Sequence, residues 1–148
     1  LNFAKVELDG IIKKTYFSPR LANERRRISK LIKNGEVILD MFTGIAPFPV
    51  IISKFSDPKI IFFFYKNKNA IDYAKKNIRK NKVYDKVKLF NMDITNFNEK
   101  YLKNDEINRI IMNLPFSSYD FFDKALSFCK DEIMIHYYEI IDEKDMEN

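Results

Sequence analysis

Val37-Ile38-Leu39-Asp40-Met41-Phe42-Thr43-Gly44-Ile45-Ala46-Pro47-Phe48 runs from an apolar stretch of strand length into a polar turn and then to a proline. Further along, Ile110-Ile111-Met112 runs into Asn113-Leu114-Pro115-Phe116 in the same manner. Two strand candidates that each end in a polar, turn-forming signature belong to an open α/β sheet, where ligands bind beyond the carboxyl ends of the strands. The first turn offers a carboxylate, Asp40, and a glycine, Gly44, where backbone can approach a ligand. The second offers a planar amide beside a proline.

Working outward, the other elements fit the same sheet. Residues 1–17 read as a lead-in segment with a turn at Asp9-Gly10, and residues 18–148 as one α/β domain. Ser18-Pro19 is a cap followed by proline, starting a helix that the pattern carries to about Lys33, with Leu21, Ile28, Leu31 and Ile32 inward. Asn34-Gly35 stops it. The segment after Pro47 takes Val50, Ile51 and Ile52 into a second helix, and Asp57-Pro58 breaks the chain before a strand at Ile60–Phe64. Asn69–Lys80 is amphipathic, with Ala70, Ile71, Ala74 and Ile78 in one stripe and lysines outside. Val87–Phe90 and Ile133–Tyr137 complete five strands, and Ser117 or Ser118 caps a helix carrying Phe121, Phe122, Ala125, Leu126 and Cys129. Strands alternating with helices predict a doubly wound, mainly parallel sheet built from right-handed crossovers.

Composition narrows the class. With 148 residues the chain suffices for one domain with a core, and 46% apolar with 32% charged residues is globular usage. The net charge of +5 suits a polyanion partner and equally a solvated surface. Cys129 is the sole cysteine, so an intrachain disulfide and a cysteine-based metal site are both excluded, which fits a reducing compartment. No apolar stretch reaches the roughly 20 residues that span a bilayer. These features predict a cytoplasmic protein with no metal and no membrane contact.

The chemistry of the turns is more specific. Gly44-Ile-Ala46-Pro47-Phe48 is not the G-x-G-x-x-G of a pyrophosphate cradle. A phosphate-free nucleoside cofactor such as S-adenosylmethionine fits better, with Asp40, Phe42 and Gly44 around it. At the end of the second strand, where an acid commonly binds ribose, stand Tyr65, Lys66 and Asn67. Asp93, after the third strand and followed by Ile94, can accept from an adenine amino group or cap its own turn. Asn113 presents a donor and an acceptor in one plane, matched to the edge of a base. The two turns together point to a methyltransferase-like enzyme. His136 and Phe62–Phe64 read as core, and Lys75, Lys76, Arg79, Lys80 and Lys82 as surface.

Tyr16-Phe-Ser-Pro-Arg20-Leu-Ala-Asn-Glu24-Arg25, Asp40–Phe48, Asn67 with Ala70, Asn77-Ile78 with Asn81, Ile111–Pro115 and Ile135-His136-Tyr137-Tyr138 follow one another in an informative order. From about Tyr16 to Tyr138 the chain resembles the archaeal and eukaryotic tRNA (guanine-37, N1) methyltransferases. Relatives that transfer an aminocarboxypropyl group during wybutosine synthesis share the fold but generally lack Asn-Leu-Pro, so Asn113–Pro115 favours methyl transfer. The resemblance implies a class I, Rossmann-like methyltransferase domain that binds S-adenosylmethionine and methylates N1 of guanosine 37 in tRNA. It implies Glu24 as general base, Asn113 as the group orienting guanine and stabilising charge at O6, and Tyr16 and Pro115 as walls of the site. Arg20 and Arg25 would contact cofactor or RNA phosphate, and the cluster Arg25-Arg26-Arg27, Lys30 and Lys33 is either a phosphate contact or a solvated face.

The chain departs from the family pattern in four places. Ala46 stands where the turn usually has glycine, and Tyr65 where the ribose-binding acid belongs. The chain starts after the position of the family's N-terminal tRNA-recognition domain and stops after a fifth strand, where the fold normally adds two more. The expectation is a catalytic-domain fragment or a reduced paralog, completed by an additional tRNA-binding domain or by a homo-oligomer. The alternative function is a non-catalytic RNA- or protein-binding module that keeps the fold. Tyr65 and Ala46 favour that module, whereas Glu24, Asp40 and Asn113 favour the enzyme.

Overall fold

A computed structural model describes residues 22–42, 47–65, 68–113 and 119–138. Helix α1 (Ala22–Leu31) leads into strand β1 (Val37–Asp40), and α2 (Pro47–Phe55) into β2 (Ile60–Phe64). Helix α3 (Lys68–Lys80) precedes β3 (Val87–Phe90); two short 3-10 turns, Ile94–Asn96 and Glu99–Leu102, lead to β4 (Arg109–Met112). A 3-10 turn at Tyr119–Phe121, helix α4 (Phe122–Leu126) and β5 (Met134–Tyr137) follow. The five strands form one sheet in the order β3-β2-β1-β4-β5. Every pairing is parallel. This is the doubly wound α/β sheet that the alternation of apolar runs and helices implies.

Period-two alternation sorts the strand side chains onto two apolar layers. Val37, Leu39, Phe62, Phe64, Ile110 and Met112 face one layer, where Ile94, Phe97, Leu102, Ile107, Ala125 and Phe128 cover them. Ile38, Ile61 and Ile111 face the other, against Ile28 of α1 and Phe48 and Ile52 of α2. Phe63 and Tyr65 join that second side next to Ala70, Ala74 and Ile78 of α3. Because both faces are covered, the central strands are apolar throughout rather than alternating. The run Phe62–Phe64 is core on both sides, with none of the three more than 5% exposed.

Gly35 has φ +82°, the left-handed conformation at the third position of the turn Lys33–Glu36, which the Glu36 N–H closes onto the Lys33 carbonyl at 3.2 Å and which leads the chain into β1. Its N–H bonds the Asp57 carbonyl at 2.8 Å, tying that turn to the one before β2. The structure differs from the pattern in two helices. Helix α1 ends at Leu31, two residues short of Lys33, and Leu31 is 44% exposed, because Ile28 and Ile32 already fill its inward side. The segment before β5 is a 3-10 turn and a five-residue helix, leaving Leu126 and Cys129 exposed. Leu21 and the serine caps at 117 and 118 lie outside the described residues. Among the described residues no helix is long and apolar enough to cross a membrane.

Candidate functional site at the carboxyl edge of the sheet

The strand ends define the site. Asp40 closes β1 in register with Phe63 of β2 and with Ile111 of β4. Tyr65 and Asn113 each stand two residues beyond those partners. Met112 pairs with Tyr137, and the Tyr138 N–H bonds the Met112 carbonyl at 3.1 Å, which sets Tyr138 beside Asn113. Alternation therefore assigns Asp40, Tyr65, Asn113 and Tyr138 to one side of the sheet, the side of α1, α2 and α3. Asp40 is fully buried, and its Oδ1 accepts from the Phe42 N–H at 3.4 Å. Asn113 is 4% exposed.

Helix α1 supplies the charged groups. Glu24 accepts from Arg27 through both carboxylate oxygens, Nε to Oε2 at 2.9 Å, one turn along the same helix. The Tyr138 hydroxyl donates to Glu24 Oε1 at 2.8 Å across the sheet edge. The Arg27 guanidinium, and secondarily the Tyr138 hydroxyl, hold the Glu24 carboxyl below the usual carboxylate range, so it is ionised at neutral pH. Burial and the facing Glu24 push the Tyr138 hydroxyl up, so it remains a donor. Arg25 is buried, with its guanidinium 5.7 Å from the centre of the Phe48 ring, and Phe48 in turn lies 6.0 Å from the Tyr138 ring. Glu24, Arg25, Phe48 and Tyr138 thus form one connected cluster.

At the end of β2, Tyr65 is 3% exposed and its hydroxyl has no hydrogen-bond partner among the described residues. Burial first, and the charge of Asp40 second, push its ionisation far above the ordinary phenol range. Tyr65 is therefore a neutral donor beside a carboxylate. Its ring packs edge-on to Phe63 at 5.9 Å.

The other sequence-predicted residues are not in this cluster. Phe42 faces the opposite layer, edge-on to Phe121 at 5.0 Å. The Asp93 side chain caps the 3-10 turn, accepting from the Thr95 N–H at 2.9 Å, and Ile94 is committed to the core at 3% exposure. Tyr16, Arg20, Gly44, Lys66, Asn67 and Pro115 lie outside the described residues. Tyr138 and Phe48 are the members that single-residue reasoning missed as site residues. Their only sequence signals were membership of the quoted motifs Ile135–Tyr138 and Asp40–Phe48.

His136 is structural, as its strand position implies. Arg109 Nη1 contacts His136 Nε2 at 2.8 Å, while Arg109 also bonds both carboxylate oxygens of Glu36 and the Leu31 carbonyl. This buried group fastens the end of α1 to β4 and β5, beneath the cluster that carries Glu24.

The edge therefore combines a buried carboxylate, a buried phenol and an amide. These hydrogen-bonding groups match the hydroxyl and amino groups of a nucleoside better than a pyrophosphate.

Comparison with known proteins places the chain. The TRM5/TYW2 methyltransferase domain matches residues 3–148. The tRNA (guanine(37)-N(1))-methyltransferase Trm5b of Pyrococcus abyssi is 39% identical over 137 residues, covering 93% of this chain and 38% of that protein. The tRNA(Phe) (4-demethylwyosine(37)-C(7)) aminocarboxypropyltransferase of Methanocaldococcus jannaschii is 34% identical over 137 residues, 91% of this chain and 52% of its own length. The crystal structure of M. jannaschii TYW2 in complex with AdoMet superposes with a TM-score of 0.78 at 33% identity, over 95% of this chain and 61% of that one. The chain thus spans roughly two fifths to one half of the curated relatives it matches. By sequence over nearly its whole length, and by fold, the chain belongs to the TRM5/TYW2 methyltransferase domain family.

Proposed function

We propose that this chain is the catalytic domain of an S-adenosylmethionine-dependent enzyme that methylates N1 of guanosine 37 in tRNA. The observation that carries the reading is the Glu24 carboxylate, ionised and held by the hydroxyl of Tyr138, the residue whose backbone lies beside Asn113 at the strand edge. Asp40, Tyr65 and Asn113 would hold the nucleoside and amino-acid groups of the cofactor, together with Arg25, Phe42 and the turns at Gly44, Lys66–Asn67 and Asp93–Ile94. When bound, the cofactor supplies an electrophilic methyl group.

The remaining work falls to the chain. N1 of guanine bears a proton at neutral pH, so methylation there needs a group that removes it, a role that gives about 10²- to 10⁴-fold in rate. Glu24 is that acceptor: its ionised form predominates at neutral pH, and its position on α1 faces the strand edge. Asn113 presents its amide to the guanine edge and stabilises charge developing on O6. By the resemblance, Tyr16 and Pro115 would wall the substrate side and Arg20 would contact cofactor or RNA phosphate. Asn113-Leu114-Pro115 favours methyl transfer over aminocarboxypropyl transfer, the chemistry of the other named relatives.

A second reading, a module that keeps the fold and has lost catalysis, draws on one observation. The β2 end carries a buried neutral phenol in place of a carboxylate. Calorimetric titration with S-adenosylmethionine separates the two: the enzyme gives binding heat and a thermal shift, and silence at millimolar cofactor refutes it. In the presence of tRNA, Asn113→Ala should lose methyl transfer far beyond any loss of cofactor affinity. Unchanged turnover would remove Asn113 from the chemistry.

A further inference from the structure

Glu24 is gripped from two directions. Arg27 approaches from the solvent side of α1, with its side chain 57% exposed against 27% for Glu24. Tyr138 approaches from the sheet, fixed by its backbone bond to Met112 and by its ring against Phe48. Arg27 sits on the same helix as Glu24, one turn along, so its bonds to the carboxylate do not by themselves fix that carboxylate against the sheet. The Tyr138 hydroxyl ties Oε1 to the strand edge.

We propose that Tyr138 is the positioning residue for Glu24, its hydroxyl holding the carboxylate at the carboxyl edge of the sheet, beside Asn113, where a substrate proton is delivered. This role rests on the reading of Glu24 as the proton acceptor. It extends that reading to a residue 114 positions away, on the last described strand connection. The hydroxyl keeps its proton through the working range, because burial and the neighbouring carboxylate both disfavour the phenolate. It therefore acts as a fixed donor and takes no proton itself. Among the described residues, the charged and titratable groups facing Glu24 are Arg27 on its own helix, Tyr138 after β5 and His136 within β5. His136 is neutral at physiological pH, so Arg27 and Tyr138 set the behaviour of Glu24 there.

Tyr138→Phe keeps the ring on Phe48 and removes the hydroxyl alone. Carbon-13 NMR of the side-chain carboxyls then follows Glu24 in the 148-residue chain, with Glu24→Gln identifying its resonance. The Glu24 titration should move to higher pH in Tyr138→Phe, because a donor to the ionised form is lost. In single-turnover transfer to tRNA, the same variant should lose rate on the order of tenfold. The acid limb of its rate profile should shift upward in pH, while its affinity for S-adenosylmethionine is unchanged. Tyr138→Leu separates packing from hydrogen bonding: it should lose thermal stability that Tyr138→Phe retains. A Glu24 titration unmoved in Tyr138→Phe, in a parent chain that binds S-adenosylmethionine, overturns the positioning role alone. A parent chain that binds no S-adenosylmethionine overturns the functional reading and the role with it.

Discussion

Arg109 Nη1 meets His136 Nε2 at 2.8 Å inside the sheet. A guanidinium only donates, so Nε2 accepts and the imidazole proton resides on Nδ1. Burial, reinforced by the Arg109 charge, pushes the His136 pKa from 6.5 down to about 4. The unfolded chain therefore binds a proton at this residue in a range where the native chain does not. The linkage has one sign: native stability falls as pH drops from about 6.5 to about 4 and is undisturbed above that window. His136→Gln offers Arg109 a carbonyl oxygen that does not titrate. Urea unfolding across pH 4 to 7 should show a shallower acid loss in this variant than in the parent; parallel curves would deny His136 this role.

Glu36 is the counter-charge that lets Arg109 be buried. It receives two guanidinium bonds, at 2.9 and 3.1 Å, and the two side chains are only 13% and 6% exposed. Removing one partner strands the other's charge in the interior. Glu36→Gln should lower stability by about 3 kcal/mol, read as the urea midpoint at constant slope. The double variant Glu36→Gln with Arg109→Met should recover much of that loss, since no charge remains to desolvate. A double variant as unstable as the single one would show that the group acts through shape rather than charge.

Gly35 carries a cost of backbone conformation alone. Its φ is +82°, and a Cβ built there would meet nothing within 4 Å. Gly35→Ala should destabilise by roughly 1 to 2 kcal/mol through the left-handed strain, and Gly35→Asn by less, because asparagine tolerates that region. Equal losses in calorimetric Tm for both variants would contradict this account.

The architecture was readable because parallel strands covered on both faces are written as unbroken apolar runs. Val37–Leu39 and Ile60–Phe64 needed no partner to be recognised. The apolar pattern starts strand β4 at Ile110, one residue late, since an arginine looks like the outside of a strand until Glu36 and His136 are seen around it. Helix periodicity misplaced Leu31 for a related reason. Pattern marks the face of a helix, but it does not show how far the sheet extends beneath the last turn. Asp40 and Asn113 were legible as strand-end residues from topology alone. The bond between Tyr138 and Glu24 was not, because it needs α1 packed over the sheet as well as the register of β4 and β5, and so joins residues separated by most of the domain.

Tyr65 is where the family pattern and the end of β2 most visibly disagree, and one substitution measures both sides. Its hydroxyl is buried beside Asp40 without a partner among the described residues. Leaving a buried hydroxyl unsatisfied costs about 1 to 3 kcal/mol, so Tyr65→Phe should raise the stability of the ligand-free chain by about 1 kcal/mol. A phenol that donates to a nucleoside hydroxyl regains that cost on binding, and its loss should then weaken S-adenosylmethionine affinity by about tenfold. Stability and affinity should therefore move in opposite directions, an outcome that neither a purely structural tyrosine nor a general packing defect produces. Thermal unfolding and calorimetric titration of the same Tyr65→Phe sample read both quantities. A stabilised variant with unchanged affinity would assign Tyr65 wholly to the α2–α3 core. The ribose contact would then have to come from some other group than the side chain that ends β2.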